Sequence, residues 1–177
     1  MQLSPLQLLE YTFDGVSVVP VQGYEADPAF APGLVFFPGK LAMSADTGLA
    51  LLDEKEKYSD FGVKLTLRVG PKEDAQAPYN IQVSVRGIVR MHLTQANGQA
   101  EERRVRALVN GASLLYGAVR EMVSTITSRS TYGPFLLPSL SFQDLASHKP
   151  DEVAPAALQS SAPARRKSSV ARAKVKA

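Results

Sequence analysis

FGVKLTLRVG, residues 61–70, and YNIQVSVRGIVRMHL, residues 79–93, decide the fold. In the first run Phe61, Val63, Leu65, Leu67 and Val69 take every second position, with Gly62, Lys64, Thr66, Arg68 and Gly70 between them. The second keeps the same parity through Ile81, Val83, Val85, Val89, Met91 and Leu93. Side chains of a strand point alternately to the two faces of a sheet, so each run reads as a strand with one apolar and one polar face. Pro71 closes the first, a short polar turn follows, and Asn97-Gly98 ends the second. Two such neighbours pair antiparallel, and only one face of their sheet then needs covering.

Working outward, Leu9, Tyr11 and Phe13 alternate with Glu10, Thr12 and Asp14, which predicts a first strand over 6–20. Leu41, Met43 and Ala45 predict a short second strand ending at an Asp46-Thr47-Gly48 turn, with Asp53 to Lys57 as a solvated connection. The apolar period changes from two to about 3.6 after Ala112. Leu115, Val119, Met122, Val123 and Ile126 form a stripe, with Arg120, Ser124, Thr127 and Ser128 opposite. A helix from Ala112 to Ser130 is therefore expected, capped by Ser113 and stopped by Gly133-Pro134. Phe135 to Phe142 reads as extended, and a brief helix follows near Gln143–Ser147. The fold class is α+β: a four-stranded antiparallel sheet, one long helix packed on one face, an extended segment and a disordered basic tail.

The division into a body, 1–146, and a tail, 147–177, rests on charge and composition. The 177 residues carry a formal +3, but the tail alone carries +5 and the body −2. A tail of Ala, Pro, Ser and Lys without aromatics cannot bury enough surface to offset its ordering entropy. No apolar run approaches the roughly 20 residues of a membrane helix, and the first residues have no basic segment before the apolar part, so a cytoplasmic location without membrane insertion is expected. With no Cys, thiolate metal sites, disulfides and cysteine nucleophiles are excluded. Phosphate-binding loops, dinucleotide fingerprints, nucleophile elbows and paired-histidine metal spacings are absent, and neither His92 nor His148 has a neighbour that would activate it. The chain reads as no enzyme, with no cofactor and no metal. The basic cluster lacks interleaved aromatics, so nucleic-acid binding through the tail is the weaker reading.

One segment combines features rarely found together. Between Gly23 and Gly39, Pro28, Pro32 and Pro38 argue against regular structure, while Tyr24, Phe30, Leu34, Phe36 and Phe37 argue against simple exposure. These aromatics either cap the end of the core or form an adaptable apolar surface.

LLYGAVREMVSTITSRSTYGPFLLPSLSF, residues 114–142, resembles the helix and following extended segment of the SecB family of bacterial protein-export chaperones. The match runs through Leu115, Arg120-Glu121, Ser128-Arg129, Tyr132 and Leu137 to Phe142; Val83, Gly87 and Ile88, and Tyr11-Thr12 with Asp14, agree in order. Gly111-Ala112 stands in place of the family's Cys-Pro, Tyr116-Gly117-Ala118 in place of Phe-Pro-Tyr, and the second helix is shortened. The resemblance implies a homotetramer, a dimer of dimers, that binds unfolded preproteins without ATP. It implies client contacts at Tyr24, Phe30, Leu34, Phe36, Phe37, Phe142 and Leu145, and an oligomer interface at Leu115, Gly117, Ala118 and Met122. Asp14 matches an acidic position through which such chaperones reach the SecA motor, whereas Val18 and Gln82 replace others. That loss supports a second expectation, a SecB-like chaperone of a toxin-antitoxin system protecting an antitoxin.

Overall fold

The computed structural model describes residues 4–25, 41–72, 77–92 and 99–147. Its elements are β1 (Leu6–Pro20), β2 (Leu41–Glu54), β3 (Tyr58–Pro71), β4 (Tyr79–His92), α1 (Ala100–Thr127) and a 3-10 helix, Gln143–Ser147. The strands form one antiparallel sheet in the order β1-β4-β3-β2, with α1 on one face. The four-strand, one-helix α+β architecture expected from the sequence is therefore present.

The period-two runs account for the centre of the sheet. Phe61, Val63, Leu65, Leu67 and Val69 of β3 and Ile81, Val83, Val85, Val89 and Met91 of β4 are all buried on the helix-facing side. Leu108, Ala112, Leu115, Val119 and Val123 of α1 cover them. Two glycines set how closely the layers meet. A Cβ on Gly111 would lie 2.8 Å from Val63 Cγ2, and one on Gly87 would lie 2.9 Å from Leu115 Cδ2 and 2.9 Å from the Glu10 carbonyl.

Several local expectations change. The helix begins at Ala100, twelve residues before Ala112, and Gln99 at its N-cap makes no side-chain cap. Glu101 and Glu102 in its first turn favour the positive end of the helix dipole. Ser113 is not a cap: it lies mid-helix and its hydroxyl donates to the Val109 carbonyl at 2.8 Å. Asn110-Gly111 hides this first half, because Gly111 serves close packing against a helix propensity that opposes it.

The strand β2 does not turn at Asp46-Thr47-Gly48. It pairs continuously from Leu41 opposite Pro71 to Leu51 opposite Phe61, and Leu49 is buried under the helix. Pairing along a long partner and burial of Leu49 override the local turn preference. The reversal comes in the charged run instead, where the Lys55 amide donates to the Tyr58 carbonyl at 2.9 Å around Glu56-Lys57.

In β1 the simple alternation fails. Register shifts at Leu8/Glu10 and Phe13/Gly15 each add a residue and switch parity, so the helix-facing positions run Leu6, Leu8, Tyr11, Phe13, Val16, Val18. Leu9 falls outside this set and is 48% exposed. Thr127, expected on the polar face, is buried, because its hydroxyl donates to the Val123 carbonyl at 2.7 Å and accepts the Phe135 amide at 2.8 Å.

Gly111→Val is expected to destabilise the chain by about 1 to 3 kcal/mol through overpacking, although valine is the better helix former. Urea unfolding checks this, and adding Val63→Ala should recover part of the loss.

Candidate functional site

The strand order places a long connection at one end of the sheet. Pro20, at the end of β1, pairs with Tyr79, and Leu41, at the start of β2, pairs with Pro71, so both anchors lie beside the β3–β4 turn. The connection must pass two strands, a span of about 14 Å at the usual strand spacing. It has twenty residues, 21–40, enough for about 66 Å of extended chain. Far more chain is present than bridging requires.

The start of this crossover is tied down. Val21 accepts a hydrogen bond from the Tyr132 hydroxyl at 2.8 Å, and its amide donates to the Pro78 carbonyl at 2.9 Å. Tyr24, half-buried, sets its ring edge-on to Tyr132 at 5.1 Å between centroids. Phe30, Leu34, Phe36 and Phe37 lie outside the described residues.

The segment after α1 runs back along the helix. Phe135 and Leu137 are buried, Tyr116 donates to the Pro138 carbonyl at 2.5 Å, and Arg120 Nε donates to the Leu137 carbonyl at 3.1 Å. Phe142 is only 6% exposed and packs edge-on against Tyr116 at 5.6 Å, so in this single chain it is a core side chain. Leu145 is half-buried against the same core.

On α1 the candidate interface residues separate. Leu115 is wholly buried against the chain's own sheet. Gly117 is exposed, and a Cβ added there would meet nothing within 4 Å, while Ala118 and Met122 are half-buried. Leu114, at 43% exposure, is the large apolar side chain that faces outward. Two adjacent leucines on a helix point about 100° apart, and that angle is the signal that tells them apart.

The sheet's outer face is held by cross-strand ion pairs. Arg90 makes two bonds to Asp60, 2.8 and 2.7 Å, and lies 3.9 Å over the Tyr58 ring. Arg86 pairs with Asp14 at 3.2 Å and Arg68 with Asp46. Together they tie all four strands, and the Asp14 carboxylate is engaged within its own sheet. At the crossover end of this face lies a hollow of about 420 Å³, lined by residues that include Ser17, Val19, Ala42, Gly70 and Gln82. His92 is exposed at the end of β4, and His148 lies outside the described residues. Among the described residues no three His, Cys, Asp or Glu side chains gather to hold a metal, and no helix is long and apolar enough to cross a membrane.

Residues 38–152 match the family described as preprotein translocase subunit SecB. The chain belongs to the SecB family. Among solved structures it is similar to a SecB-like chaperone of Mycobacterium tuberculosis in complex with a ChAD peptide from the HigA1 antitoxin, at 19% identity and a TM-score of 0.51, covering 77% of this chain and 90% of that one. A protein of unknown function from Streptococcus agalactiae is also similar, at 12% identity and a TM-score of 0.48, covering 76% and 97%. No curated protein matches in sequence. At 19% identity the likeness to the mycobacterial chaperone establishes the fold alone, in agreement with SecB-family membership.

Burial pushes the Tyr116 hydroxyl up to about 12, against the opposing pull of Arg120. An unfolded tyrosine ionises near 10. The stability this group contributes is therefore whole below about pH 10 and is lost as pH rises through about 12. Denaturant unfolding across that window should show the decline, and Tyr116→Phe should make it shallower.

Proposed function

We propose that this SecB-family chain is a molecular chaperone of the holdase type: it keeps polypeptides unfolded by burying their apolar and aromatic segments, without ATP and without making or breaking a bond. The observation that carries this reading is the crossover. Its two ends are anchored about 14 Å apart by the strand order, yet its chain is several times longer and carries Phe30, Leu34, Phe36 and Phe37 beyond Tyr24. A site that accepts many sequences needs adaptable apolar groups on a rigid base, and a packed four-strand sheet with a 28-residue helix supplies the base. The proposed location is cytoplasmic, and the tail from about Lys149 onward is dispensable for holding.

The assembly we propose is a homotetramer. Leu114, Gly117, Ala118 and Met122 on α1 offer its surface in place of the buried Leu115, with exposed Tyr11 and Val19 along the edge strand β1. Several sites on one assembly give avidity from weak contacts. Light scattering should give a multiple of the 19.1 kDa chain. Gly117→Ala should leave the single chain's fold intact, since an added Cβ meets nothing within 4 Å, so a fall in assembled mass would implicate this helix surface.

A second reading is that the client is one antitoxin rather than many preproteins. Two observations favour it: Asp14, the residue proposed to reach SecA, is already paired with Arg86, and the similar mycobacterial chaperone was solved with an antitoxin peptide. Co-purification from the native cell separates one dominant partner from many nascent chains.

Replacing Phe30 and Phe36 by Ala should weaken binding of an unfolded client by roughly five- to thirtyfold per residue, about 1 to 2 kcal/mol, with little change in melting temperature. If instead these side chains belong to the core, stability falls by about 3 to 5 kcal/mol and the affinity of the folded fraction holds. Client titration and thermal unfolding on the same variants decide.

A further inference from the structure

We propose that Tyr132 is a positioning residue for client capture: its hydroxyl clamps the Val21 carbonyl and its ring seats Tyr24, the described client contact. This rests on the client-binding reading above. Val21 lies just beyond the last residue of β1, where sheet pairing ceases to hold the chain. Its carbonyl accepts both the Tyr132 hydroxyl at 2.8 Å and the Tyr24 amide at 3.4 Å. The second bond closes a turn through Gln22 and Gly23, and Gly23 supplies the positive φ, 75°, that the turn requires. Tyr24 then rests its ring against Tyr132, so one side chain holds the turn by both a hydroxyl and a ring face.

The clamp itself is anchored. The Tyr132 amide donates to the Tyr79 hydroxyl at 3.1 Å, and that hydroxyl donates to the Gly133 carbonyl at 2.8 Å. Tyr79 is almost wholly buried and packs edge-on against both Tyr132 and Phe135. Thr127, at the end of α1, holds the Phe135 amide. Val21 is thus referenced to the rigid helix end through residues far away in sequence. A contact residue whose backbone is already fixed loses less freedom on binding a ligand, and that difference appears as affinity.

Tyr132→Phe removes the clamp's hydroxyl and keeps both ring contacts. The probe is a reduced, carboxymethylated protein that stays unfolded, labelled with a fluorophore and titrated with the full-length chain. Faster amide exchange at Tyr24 and affinity lower by about three- to tenfold, at a nearly unchanged melting temperature, are expected; that is the range spanned by one hydrogen bond. Val63→Ala is the comparison, since it loosens the core beneath Gly111 in the middle of α1 and touches no member of the Tyr132 clamp. It should lower the melting temperature and leave probe affinity unchanged. Unchanged exchange in Tyr132→Phe would overturn the clamp, and faster exchange with unchanged affinity would reduce it to a brace and overturn its role in capture. If the unsubstituted chain fails to bind the probe, the client reading itself falls, an outcome distinct from equal binding by both proteins.

Discussion

The close approach of one helix to one sheet is the constraint on which the rest depends. At Gly111 a single added carbon would meet Val63, and at Gly87 it would meet Leu115 and the backbone of β1. Interiors pack like organic crystals, so these contacts fix the height and the lengthwise position of α1 over β3 and β4. Once α1 is placed, its C-terminal turn must lie over the end of the sheet where β1 stops and β2 begins. The anchoring of Val21 by Tyr132 follows from that placement rather than from any property of the crossover.

The centre of this architecture is legible in the sequence because burial on one side imposes a strict period of two. The residues of β3 and β4 between Phe61 and Met91 obey it wherever both strands have neighbours. At the edges the signal weakens. The strand β1 inserts two extra residues and changes parity twice, which leaves Leu9 exposed although simple alternation groups it with Phe13. In β2, an Asp-Thr-Gly sequence has strong local turn chemistry, and only the pairing with β3 reveals that the chain goes straight through. The first half of α1 escapes a sequence reading for a related reason. A glycine needed for close packing looks, in sequence, like a helix breaker.

The candidate site is legible in kind and less so in detail. Aromatics interrupted by prolines mark the crossover as unusual, and the strand order explains why a long segment belongs there. Individual side chains depend on angles that a linear pattern resolves poorly. Leu114 and Leu115 are neighbours in sequence, but one is outward and the other is at the centre of the core. Phe142 shares the apolar character of the crossover residues and is nevertheless packed on Tyr116. Tyr24 is between these extremes, half-buried because Tyr132 offers it a ring.

The outer face follows a different logic from the helix-facing one. No layer covers it among the described residues, so its strands are joined by charge: Asp14 with Arg86, Asp60 with Arg90, and Asp46 with Arg68 bridge every neighbouring pair of strands. Only Asp46–Arg68 is exposed, a kind of pair that contributes about 0 to 1 kcal/mol, while Asp14–Arg86 and Asp60–Arg90 are partly buried; the consequence shared by all three is electrostatic. Each of these carboxylates faces an arginine of its own sheet, which cancels much of the negative field that a basic partner would need for steering. A basic docking partner would have to displace an arginine already in place, at the cost of the existing ion pair and of desolvating its own cation. An apolar client makes no such demand. The charge arrangement of this sheet is therefore compatible with capture of unfolded chains at the crossover end and ill suited to recognition of a cationic partner through Asp14.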